Sequence, residues 1–180
     1  GEFPVARSGH TAVVYKNKMI LFGGQRGKES YQKLNDCFSL DLDTMQWKQI
    51  VYTNRNLPKP RSHHGAAVFG NKMIIFGGQT KSGRSNSCWF LDLETAEWTK
   101  IRYKQKKKSA IPPAMRRPSC FVHGGCFFVA SGIIGDEKPV CDLYVMRFDE
   151  QFFIKVTDPK LSKSGNLFSA LLYEEKLILV

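Results

Sequence analysis

Histidine and cysteine are the residue types in this 180-residue chain that could bind a metal ion or act in catalysis, and the chain has four and five of them. His63 and His64 are adjacent, so in a strand their side chains point to opposite faces and are poorly placed to share one metal ion. No CxxC pair, HExxH or GxSxG motif is present. We therefore predict no catalytic residue, no metal site and no cofactor, and we interpret Cys37 and Cys88 as buried, reduced thiols.

Basic residues are the second group that could form a binding site, because the net charge of the chain is +11. They are dispersed except in RYKQKKKSAIPPAMRR, residues 102–117, which includes Lys104, Lys106, Lys107 and Lys108. We favour a solvated connection between strands here; the alternative is a patch that attracts an acidic partner, nucleic acid or a membrane surface. We expect no membrane span, because no apolar run approaches the ~20 residues that a spanning helix needs.

The elements that carry these residues repeat along the chain. PVARSGHTAVVYKNKMILFGGQ, residues 4–25, returns as PKPRSHHGAAVFGNKMIIFGGQ, residues 58–79. Gly23-Gly24 thus matches Gly77-Gly78, and a weaker third copy has Ser131-Gly132 at the same 54-residue spacing. Trp47 and Trp98 follow at matching positions, where the third copy has Phe152 or Phe153. A fixed period of this length predicts a repeat architecture.

Each unit divides into four short apolar runs of strand length, with turn residues such as Gly70-Asn71 between them. Four antiparallel strands per unit of ~50 residues are typical of one blade of a β-propeller. The glycine pairs suit a close approach of two backbones, and the tryptophans suit the space between blades. We therefore assign a structural role to the following residues: Gly23, Gly24, Trp47, Gly77, Gly78, Trp98 and Gly132.

The glycine pair, the downstream Asp41 and Asp92, and the paired tryptophans resemble the kelch repeat. The departures are Leu40 and Leu91, where kelch units usually carry tyrosine, and the missing glycine and tryptophan of the third unit. The resemblance implies an all-β, kelch-type β-propeller of four-stranded antiparallel blades. We expect an incomplete part of a six-bladed ring, with blade 1 at 4–57, blade 2 at 58–111, a degenerate blade 3 at 112–161, the start of blade 4 at 162–180, and residues 1–3 as a cloning remnant.

The resemblance also implies a binding site. In kelch domains that act as substrate receptors, an arginine before the first strand lines a peptide pocket, and Arg7 and Arg61 hold that position here. In the third unit Arg116 and Arg117 lie beside it. With Ser8, Ser62 and His63, these arginines predict binding of an acidic or phosphorylated peptide, because guanidinium groups bind carboxylate and phosphate in bidentate fashion. Equally open is that the arginines brace the neighbouring blade through hydrogen bonds to backbone carbonyls.

We therefore expect a non-catalytic protein–protein interaction module, a scaffold or a substrate adaptor, located in the cytoplasm or the nucleus. Two alternatives remain: a fragment of a kelch-type enzyme whose site other blades complete, and a binder of nucleic acid or acidic surfaces through residues 104–117. Nucleic acid is the less favoured partner. If the chain were only 180 residues long, we would expect it to self-associate, because an open arc of blades exposes apolar faces.

Overall fold

The fold is built from antiparallel β-strands. The structure is a computed structural model, and it describes residues 3–27, 31–104, 106, 109–156, 170–173 and 176–179. No α-helix occurs among these residues, which confirms the all-β prediction; there is one short 3-10 turn, Gly135–Glu137. No helix in the described part of the chain is long and apolar enough to cross a membrane.

Three four-stranded sheets follow one another along the chain, as predicted for kelch blades. The first consists of β1 (Thr11–Tyr15), β2 (Lys18–Arg26), β3 (Gln32–Asp41) and β4 (Trp47–Gln49). The second consists of β5 (Gly65–Phe69), β6 (Lys72–Phe76), β9 (Cys88–Asp92) and β10 (Trp98–Lys100). Between β6 and β9 the chain forms a separate hairpin of β7 (Gln79–Thr80) and β8 (Gly83–Arg84). The third consists of β11 (Ser119–His123), β12 (Cys126–Ile133), β13 (Pro139–Arg147) and β14 (Phe153–Val156). Beyond them β15 (Ala170–Tyr173) pairs with β16 (Lys176–Leu179).

The first strands of successive blades lie side by side, because β5 contacts both β1 and β11, and β11 contacts β15. They form the inner edge of the arc. Just before each first strand, a lead-in segment pairs with a residue at the end of the second strand of its own blade or, in blade 2, at the start of β7, through the bridges Ser8–Gln25, Ser62–Gln79 and Arg116–Ile133. The lead-in segments therefore lie at the same end of the blades as the connections between second and third strands.

Two apolar cores lie between the blades. The core between blades 1 and 2 contains Phe22, Cys37, Met73 and Trp98, and the core between blades 2 and 3 contains Phe76, Cys88, Phe127, Met146 and Phe153. Trp98 is 1 % exposed, with its ring centroid 4.9 Å from that of Phe22, and Phe153 holds the equivalent position in blade 3. Trp47, by contrast, is only half-buried. Cys37 and Cys88 are buried free thiols, as predicted.

The glycine pairs hold each blade against the next lead-in segment. Gly23 and Gly77 have φ of 66° and 71°, and a Cβ at either would lie 2.9 Å from a carbonyl oxygen, that of Arg61 or of Met115. The following amides, Gly24 N–H and Gly78 N–H, donate to those same two oxygens at 2.8 Å. A Cβ at either position would prevent this approach, and the structural role of the glycine pairs stays a prediction that the approach supports.

Candidate functional site

The lead-in segments place their residues along one edge, in register with the 54-residue repeat. We call this edge the inner rim and define it as Ser8, Gly9, Ser62, His63, Arg116 and Arg117. The backbone of one blade is bonded to the next there: His63 N–H donates to the Gly9 carbonyl, and Arg117 N–H to the His63 carbonyl, each at 2.7 Å. Gly9, His63 and Arg117 all have φ between 53° and 63°, so the rim has one repeated backbone conformation with a different side chain in each blade.

A lysine from blade 1 reaches across to the inner rim of blade 2. Lys33 on β3 donates to the Gln25 side-chain oxygen and, at 3.0 Å, to the Ser62 hydroxyl. That hydroxyl in turn donates to Gln25 at 3.0 Å and lies 3.1 Å from Nδ1 of His63. Ser62 is fully buried within this network. It therefore positions the rim from beneath, while His63 is half-buried and Ser8 is exposed.

Positive charge gathers around His63. Burial lowers the pKa of its imidazole, and the charges of Arg117, Lys33 and Arg116 lower the pKa further. At neutral pH the imidazole is thus neutral and can accept as well as donate a hydrogen bond. The three neighbouring basic side chains come from two blades, so an anion that approaches His63 meets an attractive field from both.

One acidic residue partly offsets this field. Glu137, in the 3-10 turn, accepts a hydrogen bond from Arg116 and lies 2.6 Å from Nη2 of Arg84. The Arg116 hydrogen bond lowers the pKa of the Glu137 carboxyl, so it stays ionised. Arg117 is exposed and forms no ion pair within the described part of the chain. It is therefore the rim cation most available to a partner.

Arg7 and Arg61 point into their own blades. Arg7 donates to the Gly23 carbonyl at 3.1 Å and binds both oxygens of Asp36, at 2.6 and 3.0 Å. Arg61 is 1 % exposed and donates to the Gly77 carbonyl at 2.8 Å. These contacts brace each arginine's own blade, not the neighbouring one, and they leave neither side chain facing solvent at the rim. A partner-binding role for the two arginines stays a prediction.

The lysine-containing part of the basic segment lies elsewhere, against the third blade, whereas Arg116 and Arg117 at the end of the segment belong to the inner rim. The amide of Lys104 donates to the Gln151 carbonyl at 2.9 Å, and Lys106 sits 4.2 Å from the Phe152 ring centroid, with its ammonium 4.0 Å from Glu150. Lys107 and Lys108 lie outside the described residues. The described part thus follows the turn between β13 and β14, as a connection between blades does.

Sequence reasoning missed Gln25, Lys33 and Glu137. Gln25 had a signal, because GGQ ends the second strand in both clear repeats. Lys33 and Glu137 had none, since the start of β3 and the 3-10 turn differ in sequence from the matching parts of the other blades. Among the described residues there is no group of three His, Cys, Asp or Glu side chains that could hold a metal ion.

The family described as the KLHDC2/KLHL20/DRC7 Kelch-repeats domain matches residues 1–180. The chain belongs to the kelch-repeat family. Kelch-repeat domains generally act as interaction modules and not as enzymes, and the relatives of this chain support that role here.

Human host cell factor 2 is 36% identical over 143 residues, which is 68% of this chain and 17% of that protein. Kelch domain-containing protein 2 of Bos taurus is 27% identical over 190 residues, 93% of this chain and 45% of that protein. Acyl-CoA-binding domain-containing protein 5 of Arabidopsis thaliana is 37% identical over 115 residues, 63% of this chain and 17% of that protein. The kelch chain thus spans less than half the length of each of these relatives.

Proposed function

We propose that this kelch domain binds an acidic or phosphorylated segment of a protein partner at the inner rim, without catalysis, as the recognition surface of a scaffold or substrate adaptor in the cytoplasm or the nucleus. The observation that carries the proposal is the convergence of Lys33, Arg116 and Arg117 around His63. Three cations from two blades favour an anionic ligand over a neutral one, and arginine suits carboxylate and phosphate.

Within this proposal the predicted residues divide into two groups. Arg117, Arg116, His63 and Ser8 contact the partner, because they are exposed or half-buried at the rim. Arg7, Arg61 and Ser62 support the rim from within, since their polar groups bond to the chain itself. We place the glycine pairs and Trp98 wholly in the scaffold.

The rival functions have weaker support. A nucleic-acid site at residues 104–117 has weaker support because two of its described cations are engaged within the chain: Lys106 lies against Phe152 and near Glu150, and Arg116 is paired with Glu137. An enzyme would need a nucleophile, a base or a metal site. The buried thiols are poor candidates for a nucleophile, since burial raises the pKa of both Cys37 and Cys88 well above the ordinary range.

The test is an array of Asp- and Glu-rich peptides, with phosphoserine versions and with Asn and Gln counterparts of the same sequences. We expect acidic peptides to bind and their amide counterparts to fail, with affinity falling as salt is added. For the best peptide, Arg117→Ala should weaken binding by about 10-fold, as loss of a charge-assisted hydrogen bond does. Arg55→Ala, at another exposed arginine, should leave affinity unchanged. Equal binding of acidic and amide peptides would refute the proposal.

A further inference from the structure

Two arginines at the same repeat position have different partners. In blade 1 the guanidinium of Arg7 is neutralised by Asp36, which binds it through both carboxylate oxygens. In blade 2 the residue that faces Arg61 is Ser87, whose hydroxyl lies 3.1 Å from Nη2. The repeat thus keeps the cation and replaces its counter-charge by a neutral group.

The Ser87 hydroxyl is shared by several donors. Besides Arg61, the indole N–H of Trp89 donates to it at 3.3 Å, and the Ser85 hydroxyl lies 2.9 Å away. Arg61 uses three of its five N–H groups within the chain, on the carbonyls of Lys59 and Gly77 and on Ser87. No carboxylate contacts it among the described residues. A buried guanidinium normally has an anionic partner, because burial of an unpaired charge is costly.

A cavity of about 310 Å³ opens beside this arginine, between the blade 2 lead-in segment, the β7–β8 hairpin and the start of β9. Its wall contains four cationic side chains, those of Lys59, Arg61, Arg84 and Lys100, and no acidic one. Hydroxyl groups of Thr80, Ser82 and Ser85 complete the polar wall.

Arg84 is one of the cationic residues that line the cavity. Its Nη2 is paired with Glu137, but its Nε is buried without a hydrogen-bond partner. An unpaired buried N–H is uncommon, and an acceptor from a ligand or a water molecule would satisfy it. Burial lowers the pKa of Arg61 to about 10. The guanidinium is therefore still charged at neutral pH, and no carboxylate balances that charge.

We propose that this cavity is a phosphate-binding site, in which a phosphate group gives Arg61 the negative charge that Asp36 gives Arg7. Phosphate fits better than carboxylate because it carries up to two charges and three or more acceptor oxygens, which match several cations and hydroxyls at once. The phosphate belongs either to a small molecule or to a phosphorylated side chain. The site is separate from the inner rim, since neither His63 nor Arg117 lines the cavity.

The experiment measures thermal unfolding of the intact protein and isothermal titration, with inorganic phosphate against chloride at equal ionic strength. We expect phosphate to raise the melting temperature in a saturable manner, because a ligand that binds only the folded state stabilises it. Ser87→Asp restores the blade 1 arrangement. This variant should melt higher than the parent without phosphate, and its phosphate affinity should be at least 10-fold weaker.

Matched variants separate the alternatives. Arg84→Gln should weaken phosphate binding, whereas Glu137→Gln, which breaks the same ion pair but keeps Arg84, should not. Arg117→Ala should bind phosphate as the parent does, so failure of the rim proposal is distinguishable from failure of this one. If Ser87→Asp does not fold, the Arg84 and Glu137 pair decides. Equal phosphate affinity in all these variants, or no saturable response in the parent, overturns the proposal.

The source of the phosphate is read from two further probes, O-phosphoserine and a phosphoserine peptide. Binding of the peptide at least 10-fold more tightly than inorganic phosphate indicates a phosphorylated protein segment. Equal or tighter binding of inorganic phosphate indicates a small phosphorylated ligand. Either result supports the site if Ser87→Asp or Arg84→Gln abolishes the response.

Discussion

The interface between blades 1 and 2 and the interface between blades 2 and 3 occupy the same positions with different side chains. The first is filled by Trp98, with Met73 and Leu93 nearby. The second has the smaller Phe153 in place of the indole, but Phe127 and Phe148 replace Met73 and Leu93. Phe148 stacks on Phe69 at 4.1 Å. In the third blade, aromatic side chains at other positions of the interface thus compensate for the smaller Phe153. A unit that looks degenerate in sequence is therefore still well packed.

Truncation of Trp98 is expected to have the largest effect of any change at the two interfaces. Trp98→Ala should lower the free energy of unfolding by about 3–5 kcal/mol, because it leaves a large cavity in a full core. Phe153→Ala should cost somewhat less, since more aromatic neighbours can relax around it. Urea denaturation measures both, with Trp47→Ala, at a half-buried tryptophan, as the control. Equal losses at Trp47 and Trp98 would show that burial between blades is not what matters.

The backbone contact should be equally sensitive at both interfaces. Gly23→Ala and Gly77→Ala should each destabilise the fold by at least ~1–2 kcal/mol, because alanine is strained at positive φ and its Cβ would meet a carbonyl oxygen. Gly70→Ala, at a positive-φ turn with no atom near the added Cβ, isolates the conformational part of the loss. If Gly70→Ala cost as much as the other two, the close approach would contribute nothing. Chemical denaturation of the three variants gives the comparison.

Acid should affect mainly the first interface, because His64 lies there and Pro118 takes its place in the second. Burial, helped by the charge of Arg61, lowers the pKa of His64 from 6.5 to about 3. Above pH 6.5 the imidazole is neutral in both states. Below it the unfolded chain gains a proton that the folded chain does not, so stability falls by about 1.4 kcal/mol per pH unit for this group until the folded value is reached.

Urea denaturation between pH 7 and pH 5 tests this, and His64→Gln should flatten the dependence by one proton. His63 and His10, whose pKa values are also lowered, remain in the variant and account for the residual slope. An unchanged slope in His64→Gln would mean that His64 titrates normally in the folded protein.

The smallest effects are expected where the interfaces reach the turns opposite the inner rim. At the first interface an exposed ion pair joins Lys16 to Glu94 at 3.0 Å. At the second interface Phe69 stacks on Phe148. Glu94→Gln should change the melting temperature slightly, and the change should vanish in high salt. Phe148→Leu should cost about 0.5–1.5 kcal/mol at any salt concentration, as an aromatic pair does. A salt-dependent loss for Phe148→Leu would contradict this assignment.

The sheets could be predicted from sequence because glycine pairs, tryptophans and turn residues are local signals that recur at one spacing. The β7–β8 hairpin and the Glu137 turn could not, since they lie in connections that do not repeat. The direction of Arg61 was undecidable for another reason. Its partner Ser87 is 26 residues away, and only the packing of the blade shows that the side chain points inward. Lys33 likewise meets Ser62 across a blade boundary, 29 positions along the chain.

The backbone bonds that join Gly9, His63 and Arg117 have a consequence for how such a surface can evolve. Each of these residues is held in a left-handed conformation by the carbonyl or amide of a neighbouring blade. The conformational cost, ~1–2 kcal/mol for a residue with a Cβ, is already carried by histidine in one blade and arginine in another. Exchange of one such side chain for another should therefore leave the folding energy nearly constant. Under the proposed function, the rim would acquire a new binding specificity one blade at a time, with no change in the scaffold beneath it.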